Sequence, residues 1–314
     1  MSSSTAQRQV CVCVPARNEQ DRLPRLLRSL AQQDWEAPLP VVIALNNTSD
    51  GSRDVVQRLA SELADRLRVF VDEQDFEPSV AHAGSARRRA MDVGLDIVGG
   101  DDGAVLLTTD ADARPPRDWV RRNVETIIDG ADLVGGALML GEDEAVPLLV
   151  RSRWEALSAY WRAVRAIEDE IDPVAWDPPP RHGDHTGGSL ATTAVAYRAT
   201  GGVPAIPVGE DGAYVMKARA LGFRLRHPAT VWTRVSPRTD ARAIGGMATK
   251  MQALAGSAAD AMAAPSLEQW RERAHWRRSV RLVGGDARVA ALEPDLAPMI
   301  CNIIVTPAVI ETAA

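Results

Sequence analysis

Residues 10–30, VCVCVPARNEQDRLPRLLRSL, change character twice. The run from Val10 to Pro15 alternates Val with Cys and has no polar face, which reads as a strand buried on both sides. Leu23, Leu26, Leu27 and Leu30 then recur at i, i+3, i+4 and i+7, the spacing that lines up one face of a helix. Between them lies a polar connection. Buried strand, polar turn and amphipathic helix together open a βαβ unit, in which the helix covers one face of a parallel sheet.

The alternation continues outward. VVIAL (41–45) predicts a second strand, and Val55, Val56, Leu59, Leu63 and Leu67 a helix after it. RVFV (68–71) predicts a third strand, ARRRAMDVGLDIV (86–98) a helical stretch, and AVLLTT (104–109) a fourth strand. A further helix opens at Pro116, proline being favoured in a first turn, and DLVGGALML (132–140) predicts another strand. The expected fold class is therefore α/β: a Rossmann-like, mostly parallel sheet flanked by helices, with ligands beyond the carboxyl ends of its strands. The second half is less regular. A helix spans roughly 145–172, a Pro- and Gly-rich loop 172–189, and a helix over GAYVMKARALG (212–222) is stopped by Gly222. Two more helices are expected near 240–263 and 266–281.

With 314 residues, 46% hydrophobic and 25% charged, the chain can bury a full core. Its net charge of -6 disfavours nucleic acid as a partner. MSSSTAQRQ at the start has no apolar core, so neither a secretory signal nor an anchor is expected there. The apolar stretch APMICNIIVTPAVI (297–310) is shorter than the roughly 18 residues a spanning helix needs. A cytoplasmic protein is expected, with Cys11 and Cys13 as buried free thiols on one strand face.

Three polar clusters, PARNE (15–19), NNTSDGS (46–52) and DAD (110–112), fall at the carboxyl ends of the first, second and fourth strands. In extended backbone Asp110 and Asp112 would project to one side. Two carboxylates in a small space repel unless a cation lies between them, and hard oxygen ligands suit Mg²⁺ or Mn²⁺ completed by waters and substrate phosphates. On the tripeptide alone, a solvated turn capping the helix near Pro116 remains the alternative.

Taken in order with HAGSARRRAMDVG (82–94), TGGSLATTAVAYRATGGVP (186–204) and GED (209–211), these segments resemble the family 2 glycosyltransferases of GT-A fold, over about residues 9–235. The resemblance implies a GT-A domain over 1–235, with a donor half of about 9–140 and an acceptor half of about 141–235. A helical C-terminal extension, 236–314, would pack on the same domain. It implies metal-dependent, inverting transfer of a sugar from a nucleoside-diphosphate sugar to a hydroxyl acceptor. Pro15, Ala16, Arg17, Glu19, Asn46 and Asn47 would border the nucleoside, and Arg87 would lie near the base and phosphates. Asp110 would contact ribose or metal, Asp112 would ligate the metal directly, Glu210 would border the donor, and Asp211 would be the catalytic base.

The chain also departs from the family. Asn46 stands where an acid commonly reads a uracil ring, and ARRR replaces the usual Ala-Arg-Asn. No Q-x-x-R-W follows GED, which favours addition of a single sugar. Arg234 and Arg238 are candidates to reach the diphosphate. His182 and His185 of HGDH read as a structural or acceptor loop. LEQWRERAHWRRSVRL (267–282) reads as a helix with a solvated basic face and inward tryptophans, a membrane-surface contact being the lesser option. Other classes fit less well. A nucleotidyltransferase would need a glycine-rich loop with lysine after the first strand, a dehydrogenase a G-x-G-x-x-G there, and a non-catalytic binder would have lost the acids.

Overall fold

The computed structural model describes residues 8–35, 38–99, 101–141, 144–238, 246–256 and 262–306. The first half runs β1 (Val10–Ala16), α1 (Leu23–Ala31), β2 (Leu39–Asn46), α2 (Ser52–Glu62), β3 (Leu67–Gln74), α3 (Ala83–Ile97) and β4 (Val105–Thr108). Then come α4 (Trp119–Ile128), β5 (Leu133–Gly135), β6 (Ala137–Leu140), α5 (Leu148–Ile171), β7 (Leu190–Thr193) and α6 (Ala194–Thr200). The chain continues through α7 (Glu210–Ala220), β8 (Leu225–Arg226), β9 (Trp232–Val235), α8 (Met247–Ala255), β10 (Ala263–Pro265), α9 (Leu267–Leu292) and β11 (Cys301–Ile304).

Seven strands form one sheet in the order β3-β2-β1-β4-β7-β5-β8. All neighbours are parallel except that β7 runs antiparallel to both β4 and β5. The order reverses between β1 and β4, so the crevice beyond their carboxyl ends is the switch point where such sheets take ligands. Alternate residues of β1 serve different layers, as a buried strand requires. Val10, Val12 and Val14 pack with the leucines of α1, while Cys11 and Cys13 face α3. A Cβ on Gly94 of α3 would come within 2.5 Å of Cys13 Sγ, so the helix can approach this closely only with glycine there. Each fully buried Val or Leu of this layer contributes roughly 1.5–3 kcal/mol.

The structure departs from the sequence expectation in several places. The run 132–140 is not one strand: β5 belongs to the main sheet, whereas β6 pairs with β9 in a separate two-stranded sheet. The break falls at Gly136, where a Cβ would lie 2.0 Å from Ser189 Oγ. α4 begins at Trp119 rather than Pro116, because Pro116 sits in a turn whose carbonyl accepts the Trp119 N–H at 3.1 Å. β7 fills the middle of the sheet although LATT is too short to read as a strand by pattern. Of the helix expected near 240–263, Met247–Ala255 is helical, and 241–245 and 257–261 lie outside the described residues.

The C-terminal region is mostly helical, with β10 and β11 as a small antiparallel pair. Trp270 of α9 is buried and donates to Tyr160 Oη at 2.6 Å, which in turn donates to the Pro265 carbonyl at 2.7 Å. Several arginines of α9 are held in ion pairs rather than left on a solvated face, while Arg278 is exposed. Arg277 pairs with Glu168 at 2.5 Å and Glu293 at 2.6 Å, and Arg281 pairs with Asp172 at 2.9 Å. Four-residue spacing put these arginines on the side that meets the acidic end of α5, so they tie the two helices together. Among the described residues no helix is long and apolar enough to cross a membrane.

Candidate active site

A cleft of about 1040 Å³ opens at the carboxyl ends of β1 and β4. Its donor-side rim is stitched from two loops. Asn18 adopts φ 54 and its Oδ1 accepts the Ser49 N–H at 2.8 Å, while the Glu19 N–H donates to Ser52 Oγ at 2.9 Å. Pro15, Ala16, Arg17, Glu19 and Asn46 all line the cleft. Asn47 does not: at φ 46 it turns its amide to Phe76, donating to the carbonyl at 2.9 Å and accepting the N–H at 3.2 Å. Its work is to hold the end of β3 against that of β2.

Asp110 and Asp112 both face the cleft, though not by strand periodicity. β4 ends at Thr108, and residues 110–113 form a turn closed by the Ala113 N–H on the Asp110 carbonyl at 3.0 Å. Two residues on, Arg114 exchanges backbone hydrogen bonds with Arg234 at 2.8 and 3.2 Å, which pins the turn to β9. The acids are therefore positioned by tertiary pairing.

Arg87 is the hub of the site. It is buried on α3 and donates through Nε to Glu210 at 3.0 Å, through Nη1 to Thr108 Oγ1 and the Gly187 carbonyl at 2.9 Å each, and through Nη2 to Asp110 at 2.8 Å. Burial opposes its charge, but Asp110 and then Glu210 outweigh that and raise its pKa. A Cβ on Gly187 would fall 2.2 Å from the Arg87 Cζ, so this glycine is what lets the guanidinium pass. Arg88 and Arg89 turn away: Arg89 pairs with Asp72 at 2.6 Å and Arg88 donates to the Val203 carbonyl at 3.2 Å.

Glu210 and Asp211 open α7 behind Gly209, whose φ of 76 reverses the chain. Both line the cleft, but Glu210 is buried and turned to Arg87. Asp211 Oδ2 accepts the Gly187 N–H and its Oδ1 the Gly212 N–H, both at 2.7 Å. That leaves one fixed orientation with lone pairs open to a ligand.

Arg238 reaches two of the cleft's acids, pairing with Glu19 at 2.9 Å and with Asp112 at 3.1 Å. Arg234 instead stacks its guanidinium over Trp232 at 4.8 Å. Burial pushes the Asp112 carboxyl up to about 7; Arg238 pulls it back, and Asp110 and Glu19 push it further up. Asp112 thus sits in an acid-rich pocket that Arg238 and, to a smaller extent, Arg22 only partly neutralise, and its hard oxygen donors fit Mg²⁺ or Mn²⁺. Among the described residues no group of three or more His, Cys, Asp or Glu is arranged to hold an ion. The remaining ligands would come from phosphate and water.

His182 and His185, both half-buried, cluster with the buried His227. Asp177 accepts from His227 Nδ1 at 2.8 Å, and His227 Nε2 lies 3.2 Å from His185 Nδ1. Burial lowers all three histidine pKa values, that of His227 to about 3 against the pull of Asp177. Folded-state values below the unfolded value of about 6.5 mean that the unfolded chain takes up protons first as pH falls. Stability is therefore expected to drop between about pH 6.5 and pH 3. Urea midpoints at pH 7.5 and 5.0 check this, and equal midpoints would refute it.

Sequence reading missed the wall opposite the donor loops. Trp154, Leu157, Ser158, Trp161, Arg162 and Arg165 of α5 line the cleft at i, i+3, i+4, i+7, i+8 and i+11. Helical spacing of aromatic and basic residues was the available signal.

The glycosyl transferase family 2 model matches residues 11–176, more than half of the chain and every element from β1 through α5. The chain belongs to that family. Its curated relatives include the glycosyltransferase AglE of Haloferax volcanii, 26% identical over 129 residues, which are 40% of this chain and 38% of that protein. An undecaprenyl-phosphate 4-deoxy-4-formamido-L-arabinose transferase of Pseudomonas fluorescens is 29% identical over 171 residues, 52% of this chain and 47% of that one. The chain thus spans under half the length of these relatives. Among solved structures, the mannosyltransferase PcManGT of Pyrobaculum calidifontis, in complex with GDP-Man and Mn²⁺, aligns with a TM-score of 0.54 at 18% identity over 95% of this chain and 79% of that one. S. aureus TarS 1–349 in complex with UDP aligns at 0.52 and 15%, over 92% and 75%. At such identities the likeness shows the fold, that of the GT-A glycosyltransferases.

Proposed function

We propose that the chain moves a single sugar from a nucleoside-diphosphate sugar to a hydroxyl acceptor, with inversion at the anomeric carbon. The observation that carries this reading is the arrangement of three acids around one cleft at the sheet's switch point: Asp110 and Asp112 after β4, and Asp211 at the start of α7. PcManGT, with its GDP-Man and Mn²⁺, lends support at the level of fold. Asp112 and Asp110 would hold the divalent cation, which when bound neutralises charge developing on the departing diphosphate. Pro15, Ala16, Arg17, Glu19 and Asn46 border the nucleoside. Arg87 acts indirectly, fixing Asp110 and Glu210 rather than touching phosphate, since its nitrogens are already engaged.

Asp211 accepts the acceptor's hydroxyl proton as the new bond forms. Its two backbone donors keep the carboxylate oriented, so little rearrangement is needed at that moment. Residues 236–314 belong to the same unit in this reading, because Arg238 completes the donor side and α8 closes the far side of the cleft. Free thiols at Cys11, Cys13 and Cys301 accord with a cytoplasmic setting.

A thermal-shift panel of UDP-, GDP-, dTDP- and CDP-sugars, each with and without Mn²⁺, tests the proposal. One nucleotide should stabilise the chain, more so with metal; at a hundred times its Kd the gain is about 2.7 kcal/mol. Stabilisation by none of them in the presence of Mn²⁺ would sink the reading. Asn46, which can donate as well as accept, makes the base preference the informative variable.

A further inference from the structure

The donor side of the cleft is ion-paired, with two guanidinium groups facing four carboxylates: Arg87 pairs with Asp110 and Glu210, and Arg238 with Asp112 and Glu19. The opposite wall is so only in part. There Arg165 is spent on Glu168 at 2.6 Å and Arg181 on Asp169 at 2.6 Å. Arg162 on α5 and Lys250 on α8 line the same cleft, yet neither makes an ion pair with a described residue. Lys250 Nζ stands 5.0 Å over the Trp154 ring instead. The acids on this side are Asp184, whose Oδ2 accepts the Leu138 N–H at 3.2 Å, and Asp211, held by its two N–H donors.

The wall also carries an open aromatic face. Trp161 is 44% exposed, although its ring is fixed edge-on by Tyr160 at 5.1 Å and Trp270 at 5.6 Å. Thr186, next to the glycine that orients Asp211, has a hydroxyl with no hydrogen-bond partner. Indoles, two cations that make no ion pair among the described residues and an unpartnered hydroxyl in one cleft form a recognition surface for a ligand that is partly apolar and negatively charged.

Building on the transfer reading above, we propose that Arg162 and Lys250 bind an anionic group of the acceptor, a carboxylate or phosphate, over the platform of Trp154 and Trp161. The acceptor's hydroxyl is then directed toward Asp211. The anion is a binding handle and takes no part in the bond changes.

Tryptophan fluorescence of the full chain reads the site directly, because Trp154 and Trp161 form it. The probes are inorganic phosphate, acetate, neutral glucose, and vesicles with and without undecaprenyl phosphate, each with and without the best nucleotide of the panel plus Mn²⁺. Phosphate or acetate should give a saturable change that glucose does not, and the change should survive nucleotide occupancy. Phosphate against acetate separates the two anions, and a response only to vesicles that carry undecaprenyl phosphate, which has no hydroxyl apart from its phosphate, would overturn the handle role. Arg162→Met and Lys250→Met should each weaken anion binding by about tenfold or more, with Lys250→Arg retaining most of it. Both residues are solvent-open, so the variants should fold, and their nucleotide binding should not change. An anion response abolished by nucleotide, or unchanged in both methionine variants, overturns the proposal. Nucleotide binding without anion binding defeats this inference alone, and anion binding without nucleotide binding defeats only the transfer reading.

Discussion

Asp211→Asn is expected to lower turnover by about 10²- to 10⁴-fold while nucleoside-diphosphate binding stays within a factor of about two, the range a positioned general base contributes. The carboxylate lies on the cleft wall rather than among the donor loops, so the nucleotide does not depend on it. An amide keeps the size of the group but cannot take up the hydroxyl proton. It also offers one oxygen where two N–H donors now converge, from Gly187 and Gly212. A small local shift is thus built into the variant, which is why nucleotide affinity by calorimetry must accompany the rate. Full turnover with intact binding would remove Asp211 from the role.

The second large effect concerns stability. Arg87→Met should cost about 3–5 kcal/mol, because it leaves the buried Glu210 carboxylate without its partner. The Thr108 hydroxyl and the Gly187 carbonyl lose their donor as well. At roughly 2–4 °C per kcal/mol the melting temperature should fall by about 10 °C. The double variant Arg87→Met with Glu210→Gln should recover part of that loss, since it removes the stranded charge. If the double variant is no more stable than the single, the cost arises elsewhere. Because Gly187 also orients Asp211, Arg87→Met should depress turnover beyond what unfolding explains, measurable at a temperature where the variant is fully folded.

In the proposed reading the two variants separate the residue that meets the acceptor from the residue that holds the site in shape. By sequence resemblance Arg87 would lie near the base and phosphates and Asp211 would be the catalytic base. The structure distinguishes them: every nitrogen of Arg87 is engaged within the protein, whereas Asp211 keeps open lone pairs on the cleft.

Much of the α/β sheet was legible in local pattern. The leucines of α1 and the apolar runs of β1, β2 and β4 obey periods fixed by helix and strand geometry, and burial on both faces of a strand leaves no polar alternation to confuse them. The carboxyl-end rule then located the cleft from the polar clusters that follow the first, second and fourth strands. Patterns failed where an element is defined by its partner. LATT becomes the central strand β7 only because β4 and β5 offer edges on either side, and DLVGGALML divides because Ser189 fills the space beside Gly136.

Sequence by itself determined the layered class, the helices with strong apolar stripes and the identity of the polar loops, since each of these follows from contacts within a few residues. Tertiary structure alone decided that residues 110–113 turn, that Asn47 serves Phe76, that the arginines of α9 bind the end of α5, and that Arg238 comes back to Asp112 and Glu19. Charges in a sequence carry sign but no distance. Whether a carboxylate is solvated, paired or pushed toward protonation depends on which groups the fold brings within a few ångströms and how much water it leaves there.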